Sequence, residues 1–265
     1  MRRKRKIVNA IVTVFAFIAA AMFIMPTVLT IANSFMTSTE ISANYGAMLD
    51  NMTEDKKVYI SDKVNLKFIP DKVTIDQYKN VLLKNPEYLL KFWNSVLLTV
   101  PITLFQMLLA ILTSYGFSRY PNKFKGIIFF TYIILMIMPY QVTLVPNFLV
   151  AEKFNLLNTR WAIILPGIFS PFSIFLLSKV MRRIPVSYVE AAKLDGASEL
   201  QILTKIHVPL CKGAIVSIAM LVFIDYWNMV EQPLILMKDA DMHPLSVFLS
   251  QINTGDIGLA FAVGT

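Results

Sequence analysis

Long uncharged runs separate the charged residues of this chain. Four of these runs contain no Asp, Glu, Lys or Arg: residues 7–39, 92–118, 126–151 and 161–178. A helix needs about 20 apolar residues to cross the hydrocarbon core of a bilayer, so each run predicts one membrane-spanning helix. A fifth run, residues 213–237, is interrupted only by Asp225 and Glu231. A sixth begins at residue 257, and we expect it to be incomplete in this chain, because the sequence ends at Thr265.

The composition agrees with a membrane protein. Apolar residues make up 56% of the 265 residues, charged residues make up 16%, and the mean hydropathy is +0.59. A soluble domain carries about 25% charged residues. The high hydrophobicity excludes a disordered chain, and the single cysteine, Cys211, excludes a disulfide-rich fold. The first run is longer than the core of a secretory signal, so we expect an uncleaved first transmembrane helix over residues 1–34. The predicted fold class is an all-α membrane protein, a polytopic helical bundle of about six spans.

Basic residues mark one side of the predicted membrane. Five of the first six residues are Arg or Lys, which by the positive-inside rule places the N-terminus in the cytoplasm. Alternation of the spans then places the segments 119–125 and 179–212 inside, and both carry a net positive charge. The segments 35–91 and 238–256 fall outside. Because this orientation accounts for most of the formal net charge of +8, the charge does not indicate nucleic-acid binding.

The extracytoplasmic segment 35–91 is too long to be a simple connection. Apolar and polar residues alternate in part over residues 58–69, and residues 74–84 predict a short amphipathic helix. The apolar positions of that helix are Ile75, Tyr78, Val81 and Leu82. We expect the segment to form a small folded cap on the outer surface.

The segment between the fourth and fifth runs predicts a helical hairpin over residues 187–209. Ser187 with Glu190 three positions later fits a capping box, so a short helix is expected over residues 188–194. That helix should end at Asp195 and Gly196, because glycine accepts the left-handed backbone that terminates a helix.

A second short helix follows the glycine turn. Ser198 and Gln201 repeat the capping pattern, and we expect this helix to run to about His207, where Pro209 stops it. The hairpin offers small and apolar side chains for docking: Ala191, Ala192, Leu194, Leu200, Leu203 and Ile206. Such a surface normally packs against another one. The alternative is an amphipathic element that lies on the lipid headgroups.

The hairpin resembles a motif of known transport proteins. Glu190, Ala191 and Ala192 are followed by Asp195, Gly196 and Ala197, and then by Ile206 and Pro209. Order and spacing are similar to the EAA motif of ATP-binding cassette (ABC) importer permeases. The resemblance implies that the hairpin forms the coupling helices, which dock into a cleft of a separate ATPase subunit. It assigns ATPase coupling to the residues Glu190, Ala191, Ala192, Asp195, Gly196 and Ala197.

Other stretches resemble the carbohydrate-uptake branch of these permeases, the family of the smaller membrane subunit of maltose systems. They are residues 155–177, Trp227 with Asn228, and Pro233 with Leu234. Val208 and Gly213 depart from the residues common in that family. The resemblance implies a type I permease transmembrane domain over residues 92–265 in a bacterial plasma membrane. It also implies a homologous second permease subunit, two ABC ATPase subunits and an extracellular substrate-binding protein as partners. The carried substrate would be carbohydrate, in the form of oligosaccharide.

Energy for transport must come from another chain. None of the nine glycines fits the phosphate-binding loop GxxxxGK[ST], so ATP and Mg are expected on the partner ATPase subunits, with no cofactor in this chain. No metal-ligand spacing is present, since His207 and His243 lie far apart and Cys211 stands alone. No nucleophile, base or metal set is assembled, so we expect no catalytic residue and no enzyme activity.

Asp225 is the unusual residue of the fifth run. A carboxylate near the centre of a membrane helix costs about 2.5–3.5 kcal/mol unless it faces protein or water. Beside it stand polar and aromatic residues that could bind sugar hydroxyls and rings: Tyr226, Trp227, Asn228, Glu231 and Gln232. We expect this set either to line a substrate path or only to join helices by hydrogen bonds. Five prolines inside the runs predict kinks around a cavity or irregular packing: Pro101, Pro139, Pro146, Pro166 and Pro171.

Two functions therefore compete. The first is an importer permease that works by alternating access under the control of partner ATPases. The second is an ion-coupled secondary transporter with Asp225 or Glu231 as its proton or cation site. Secondary transporters often contain paired repeats, which this sequence lacks.

Overall fold

The computed structural model describes residues 2–41, 43–44, 66–84, 86–119, 123–251 and 261–265. Every regular element in these ranges is a helix. They include α1 (Arg2–Ser34), α2 (Asp76–Lys79), α3 (Pro86–Arg119), α4 (Lys123–Ile137), α5 (Tyr140–Lys153), α6 (Trp161–Gly167), α7 (Pro171–Met181), α8 (Val186–Leu194), α9 (Glu199–Ile202), α10 (Val208–Trp227), α11 (Glu231–Leu236) and α12 (Leu245–Ser250). Two π turns, Asn80–Lys84 and Leu203–His207, continue α2 and α9, and a 3₁₀ turn covers Ala240–Met242.

Four helical stretches are long and apolar enough to cross a membrane. They are Asn9–Ser34, Glu87–Arg119, Trp161–Met181 and Glu199–Trp227. A bent pair, Gly126–Ile137 and Gln141–Lys153, makes a fifth span if its two arms are one crossing. The prediction of an all-α polytopic membrane protein is therefore confirmed for the described residues.

The predicted third span is not one straight helix. It breaks between α4 and α5, whose axes differ by 104°. Pro139 stands at the break with an extended backbone, φ −59° and ψ 140°. Proline has no amide hydrogen to continue the ladder of α4, and its ring crowds the preceding turn, so the helix ends there and a new one begins at Tyr140.

The predicted fifth span ends earlier than the apolar run. The helix stops at Trp227, and α11 begins only at Glu231. Pro233 is the third residue of α11, a position whose amide would have no helical partner. An uninterrupted helix would instead place this proline in its interior, where it breaks a hydrogen bond. The break over residues 228–230 therefore places Pro233 in a first helical turn, where its missing amide costs no helical hydrogen bond.

The chain divides into two compact units. The first comprises residues 1–89 and 251–265, and the second comprises residues 90–250. In the first unit, the Ser34 hydroxyl at the end of α1 lies 2.7 Å from the Tyr78 hydroxyl of α2. The Thr74 amide donates to the Phe35 carbonyl at 2.9 Å. These bonds hold α2 against the end of α1.

The short helix predicted over residues 74–84 is present, but its buried face differs from the predicted one. Ile75 and Leu82 are exposed, whereas Gln77 is buried and donates to the Ser38 hydroxyl at 3.2 Å. Most of the predicted alternation over residues 58–69 lies outside the described residues.

Glu40 links two parts of the first unit. Its Oε1 accepts a hydrogen bond from the Asp71 amide at 2.8 Å and lies 3.1 Å from Lys67 Nζ. Lys67 also pairs with the Asp71 carboxylate. The Asp71 amide, followed by the Lys67 ammonium, holds the pKa of Glu40 below its usual range.

The second unit has two apolar clusters. One joins α3, α7 and α10 with the hairpin through Met107, Tyr115, Ile174, Leu177, Val189, Ile202, Leu203 and Ile218. The other packs around Leu98, Ile102, Ile163, Met229 and Met237. Two buried polar contacts fix α3 against α7. Gln106 donates to the Ser173 hydroxyl at 2.8 Å, and Ser114 donates to the Ile174 carbonyl at 3.0 Å.

A polar cluster at the start of α3 holds the loop before α12. Lys91 donates to the Ala240 carbonyl at 2.5 Å, and Asn94 donates to the Asp241 carbonyl at 2.6 Å. The Arg160 guanidinium donates to Asn94 Oδ1 at 2.7 Å. Lys91 and Asn94 are buried, so these bonds satisfy groups that would otherwise be costly to remove from water.

Candidate functional site

The hairpin turns at Gly196, whose φ of +78° is left-handed. The Ala197 amide donates to the Ala192 carbonyl at 2.9 Å, and the Gly196 amide donates to the Lys193 carbonyl at 3.0 Å. This pair of bonds is the Schellman motif that ends α8. The predicted end of the first hairpin helix at Asp195 and Gly196 is confirmed.

The second hairpin helix begins with the predicted capping box. The Ser198 amide donates to Gln201 Oε1 at 2.8 Å, and the Gln201 amide donates to the Ser198 hydroxyl at 3.3 Å. The capping box predicted at Ser187 and Glu190 is wrong. The first helix begins at Val186 with Pro185 as its N-cap, so Ser187 already lies inside the first turn and makes no cap. Proline before the helix supplies the extended entry without any side-chain bond.

Pro209 does not stop the second helix, contrary to the prediction. The π turn Leu203–His207 leads directly into α10, giving one continuous helix from Glu199 to Trp227. Pro209 stands in the first turn of α10. We attribute the wider π turn to the proline ring, which cannot be accommodated against the carbonyl four residues earlier in a regular α-helix.

The hairpin has one buried side and one exposed side. Val189, Ile202 and Leu203 are buried in the first apolar cluster of the second unit. Leu194 is 89% exposed and Leu200 is 66% exposed. The prediction that Leu203 is a docking anchor is therefore wrong, because the π turn rotates it into the core. This chain leaves Leu194 and Leu200 exposed, so both could contact another protein.

The six predicted coupling residues surround the turn. Four are exposed: Glu190, Ala191, Asp195 and Gly196. Ala192 and Ala197 are half-buried and pack against the apolar cluster. No neighbouring side chain lies within 4 Å of the position that a Cβ on Gly196 would occupy. The turn is therefore a protruding surface without steric cover among the described residues.

The second unit also contains a cavity of about 950 Å³. Five of the six residues predicted for a substrate path line it: Asp225, Tyr226, Asn228, Glu231 and Gln232. Trp227 does not line it. The Trp227 ring instead contacts Phe92 at 5.7 Å and stacks on Phe223 at 5.4 Å between ring centroids. The five lining residues flank the break between α10 and α11, which turns consecutive side chains towards one space.

Two further helix breaks border the cavity. Met138 stands at the break between α4 and α5, and Phe169 and Ser170 stand at the break between α6 and α7. Gly167 also lines the cavity. A Cβ on Gly167 would lie 3.1 Å from both Ile102 Cγ2 and the Tyr226 hydroxyl, so glycine allows α6 to approach α3 and Tyr226.

Other polar residues, outside the predicted set, also line the cavity. Thr143 and Asn147 lie on one face of α5, four residues apart, and Ser170 caps α7 by accepting from the Ser173 amide at 3.3 Å. Thr143 and Asn147 stand four residues apart in an uncharged run, and this spacing was the available signal, because polar residues at i and i+4 share a helix face. Ser170 gave no such signal.

The cavity carries negative charge. Among its lining residues the charged ones are Asp225 and Glu231, and that set contains no Lys, Arg or His. Met138, Met229, Phe169 and Phe172 supply apolar and aromatic surface beside them. Such a mixture of apolar wall and a few polar groups is typical of a small-molecule site.

A metal site is not formed by the residues that the structure describes. No group of three or more His, Cys, Asp or Glu side chains among them could hold an ion. His207 is buried against the Tyr115 ring, at 4.8 Å between centroids. A His243 ring nitrogen lies 2.8 Å from the Met237 carbonyl, and Cys211 is buried.

The chain is similar to several membrane transport proteins. Residues 106–264 match the family described as binding-protein-dependent transport system inner membrane component. The arabinooligosaccharides transport system permease protein AraQ of Halalkalibacterium halodurans is 28% identical, over 100% of this chain and 91% of that protein. The lactose transport system permease protein LacG of Rhizobium radiobacter is 31% identical over 62% of this chain and 60% of its own length.

A solved structure shares the fold. It is a bacterial ABC transporter involved in the import of the acidic polysaccharide alginate. The two chains superpose with a TM-score of 0.76 at 22% identity, over 99% of this chain and 90% of the other. The likeness establishes the ABC permease fold.

Proposed function

We infer the function of this chain from one premise: it belongs to the family of binding-protein-dependent transport system inner membrane components. It is a multi-pass membrane permease subunit of an ABC importer and is not itself the enzyme that hydrolyses ATP.

We propose that the cargo is an oligosaccharide. The observation that carries this proposal is the cavity of about 950 Å³ at the break between α10 and α11. Tyr226 and Phe169 offer aromatic faces for sugar rings, and Asn228 and Gln232 offer amides for sugar hydroxyls. The similarity to permeases for arabinooligosaccharides and lactose supports the same substrate class.

The proposed cargo is uncharged. Asp225 and Glu231 place two carboxylates on the cavity wall. Like charges repel by about 1 kcal/mol at 4 Å in water and by more in a less polar cavity, so a uronate sugar would be disfavoured here. Neutral hydroxyl groups would instead donate hydrogen bonds to these carboxylates.

The hairpin, residues 187–209, is the proposed coupling element, and its proposed docking surface is the exposed turn between the two hairpin helices. Glu190, Ala191, Asp195 and Gly196 would contact an ATPase subunit around the turn, and Leu194 and Leu200 would supply apolar anchors. Exposed leucines of this kind gain about 25 cal/mol per Å² when another surface covers them. Ala192 and Ala197 would keep the turn close to the membrane domain.

The proposed assembly follows the family pattern. The N-terminus and the hairpin would face the cytoplasm, residues 1–34 would form the first transmembrane helix, and residues 35–91 would lie outside. Residues 92–265 would form the permease domain. A homologous second permease, two ABC ATPases that bind ATP and Mg, and an extracellular binding protein would complete the importer.

Transport of radiolabelled sugar into liposomes tests this function. The chain is purified with the partners that accompany it, and uptake of a neutral oligosaccharide is compared with uptake of an oligogalacturonate of matched length. We expect ATP-dependent uptake of the neutral sugar. Ala191→Trp should abolish both uptake and ATPase association, whereas Lys205→Trp, also exposed, should leave both intact.

Three results would contradict parts of the proposal. Uptake driven by an ion gradient through the single chain without ATP would contradict the importer function. Equal uptake of the oligogalacturonate would contradict the assigned cargo charge. Normal ATPase association of Ala191→Trp would contradict the assigned docking surface.

A further inference from the structure

A line of polar side chains joins the hairpin to α3. The Tyr115 hydroxyl donates to Glu199 Oε2, and Glu199 Oε1 lies 2.6 Å from Lys193 Nζ. Tyr115 belongs to α3, Glu199 begins α9, and Lys193 lies near the end of α8. A single carboxylate of the second hairpin arm therefore bonds to the first arm and to a membrane-spanning helix.

Tyr115 makes a second contact with the hairpin. Its ring packs edge-on against His207 at 4.8 Å between centroids. His207 ends the π turn that joins α9 to α10, and it is only 1% exposed. Tyr115 thus holds α9 at its first residue through the hydroxyl and holds the π turn through the ring. These two contacts fix the direction in which the hairpin leaves the bundle.

The polar link differs from the apolar packing around it. Val189, Ile202 and Leu203 bury surface against the bundle, and this attraction has no preferred direction. A hydrogen bond to a carboxylate is directional and about twice as strong as one between neutral groups. The apolar contacts keep the hairpin attached, whereas the polar link resists its rotation and sliding.

We propose that Tyr115, Glu199 and Lys193 form the link that transmits movement of the hairpin to α3. The proposal rests on the proposed function, in which the hairpin docks on an ATPase. A push on α8 reaches Glu199 through Lys193, and Glu199 passes it to α3 through Tyr115. The three residues are positioning residues, because none of them lines the cavity and none is among the side chains proposed to contact the ATPase.

Two variants cut the link at its opposite ends. Tyr115→Phe removes one hydroxyl and keeps the ring against His207, and Lys193→Met removes the ammonium from an exposed position. Tyr132→Phe and Lys205→Met are matched controls. The Tyr132 ring packs on Phe117 and Phe169 outside the link, and Lys205 is exposed on the π turn.

The measurement is sugar taken up per ATP hydrolysed by the complete importer in liposomes. We expect the ratio to fall about fivefold in Tyr115→Phe and in Lys193→Met, with normal complex yield and melting temperature and with ATPase activity retained. A fivefold change corresponds to about 1 kcal/mol, the scale of a partly exposed charged hydrogen bond. Both controls should keep the wild-type ratio. Because the two cuts break one link, the double variant should be no worse than either single variant.

Several outcomes would overturn the proposal. A wild-type ratio in both link variants would do so, as would a proportional loss of uptake and ATPase activity with a lower melting temperature, which a merely structural role predicts. Losses that add in the double variant would also contradict a single link. An assembled importer that takes up no oligosaccharide would overturn the proposed function and this link with it, whereas an active importer with unaffected variants overturns the link alone.

Discussion

Replacing Gly196 by alanine tests the geometry of the hairpin turn. The φ of +78° is left-handed, and a side chain there costs about 1–2 kcal/mol through the clash of Cβ with the following carbonyl. Steric crowding adds nothing, because a Cβ would meet no atom within 4 Å. Alanine also lowers the conformational entropy of the unfolded chain, and this effect offsets the cost by about 0.4–1 kcal/mol. The net cost is about 1 kcal/mol, so the turn should open about fivefold more often.

Hydrogen exchange of the full chain in nanodiscs measures this opening. The reporter is the Ala197 amide, which donates to the Ala192 carbonyl across the turn. We expect its exchange to be about fivefold faster in Gly196→Ala than in the wild type. Gly196→Asn is the matched control, since asparagine tolerates the left-handed region, and its exchange should stay near the wild-type rate. Unchanged exchange in the alanine variant, or equal acceleration by asparagine, would refute the backbone reasoning.

Three other substitutions have defined outcomes. Gly167→Ala should lower the melting temperature through overpacking of about 1–3 kcal/mol and should displace Tyr226, which reduces uptake; unchanged melting and uptake would contradict the close approach. Arg160→Met should cost about 1–3 kcal/mol in thermal unfolding, because buried Asn94 loses a donor. Glu40 has a lowered pKa, so its advantage over Glu40→Gln should be present above its ordinary value of 4.5 and disappear as the pH falls; a constant difference in melting temperature would contradict it.

The hairpin could be predicted where its signals were local. Gly196 and the Ser198–Gln201 pair act within a few residues of themselves, and both features are present as expected. Ser187 fitted the same capping pattern, but Pro185 had already started the helix. A pattern of residue types cannot choose between two possible starting positions when both satisfy it. In the structure, the extended backbone of Pro185 sets where the helix begins.

The cavity was predicted in part because a carboxylate in an apolar run is costly anywhere else. Asp225 and its neighbours were therefore predicted either to line a substrate path or to join helices, and five of those six residues line one space. Trp227 was included because it is aromatic and stands beside Asp225, but its ring packs on Phe223 and Phe92 instead. Whether a residue at the end of a helix faces a cavity or its neighbours depends on where the helix ends, which the apolar run did not reveal.

Long-range contacts could not be predicted from the sequence. Tyr115 and Glu199 are 84 residues apart, and nothing in either segment indicates the other. The same holds for Gln106 and Ser173, which fix α3 against α7. Such pairs arise only after helices have packed, because packing sets which faces meet.

The continuous helix from Glu199 to Trp227 has a mechanical consequence. It contains 29 residues, which at about 1.5 Å per residue makes a rod about 43 Å long. One end begins beside the Gly196 turn, and the other ends at the cavity rim. For a stiff rod of this length, a tilt of about 5° about one end moves the opposite end by about 4 Å. The length of this helix therefore turns a small angle into a displacement greater than a hydrogen-bond length.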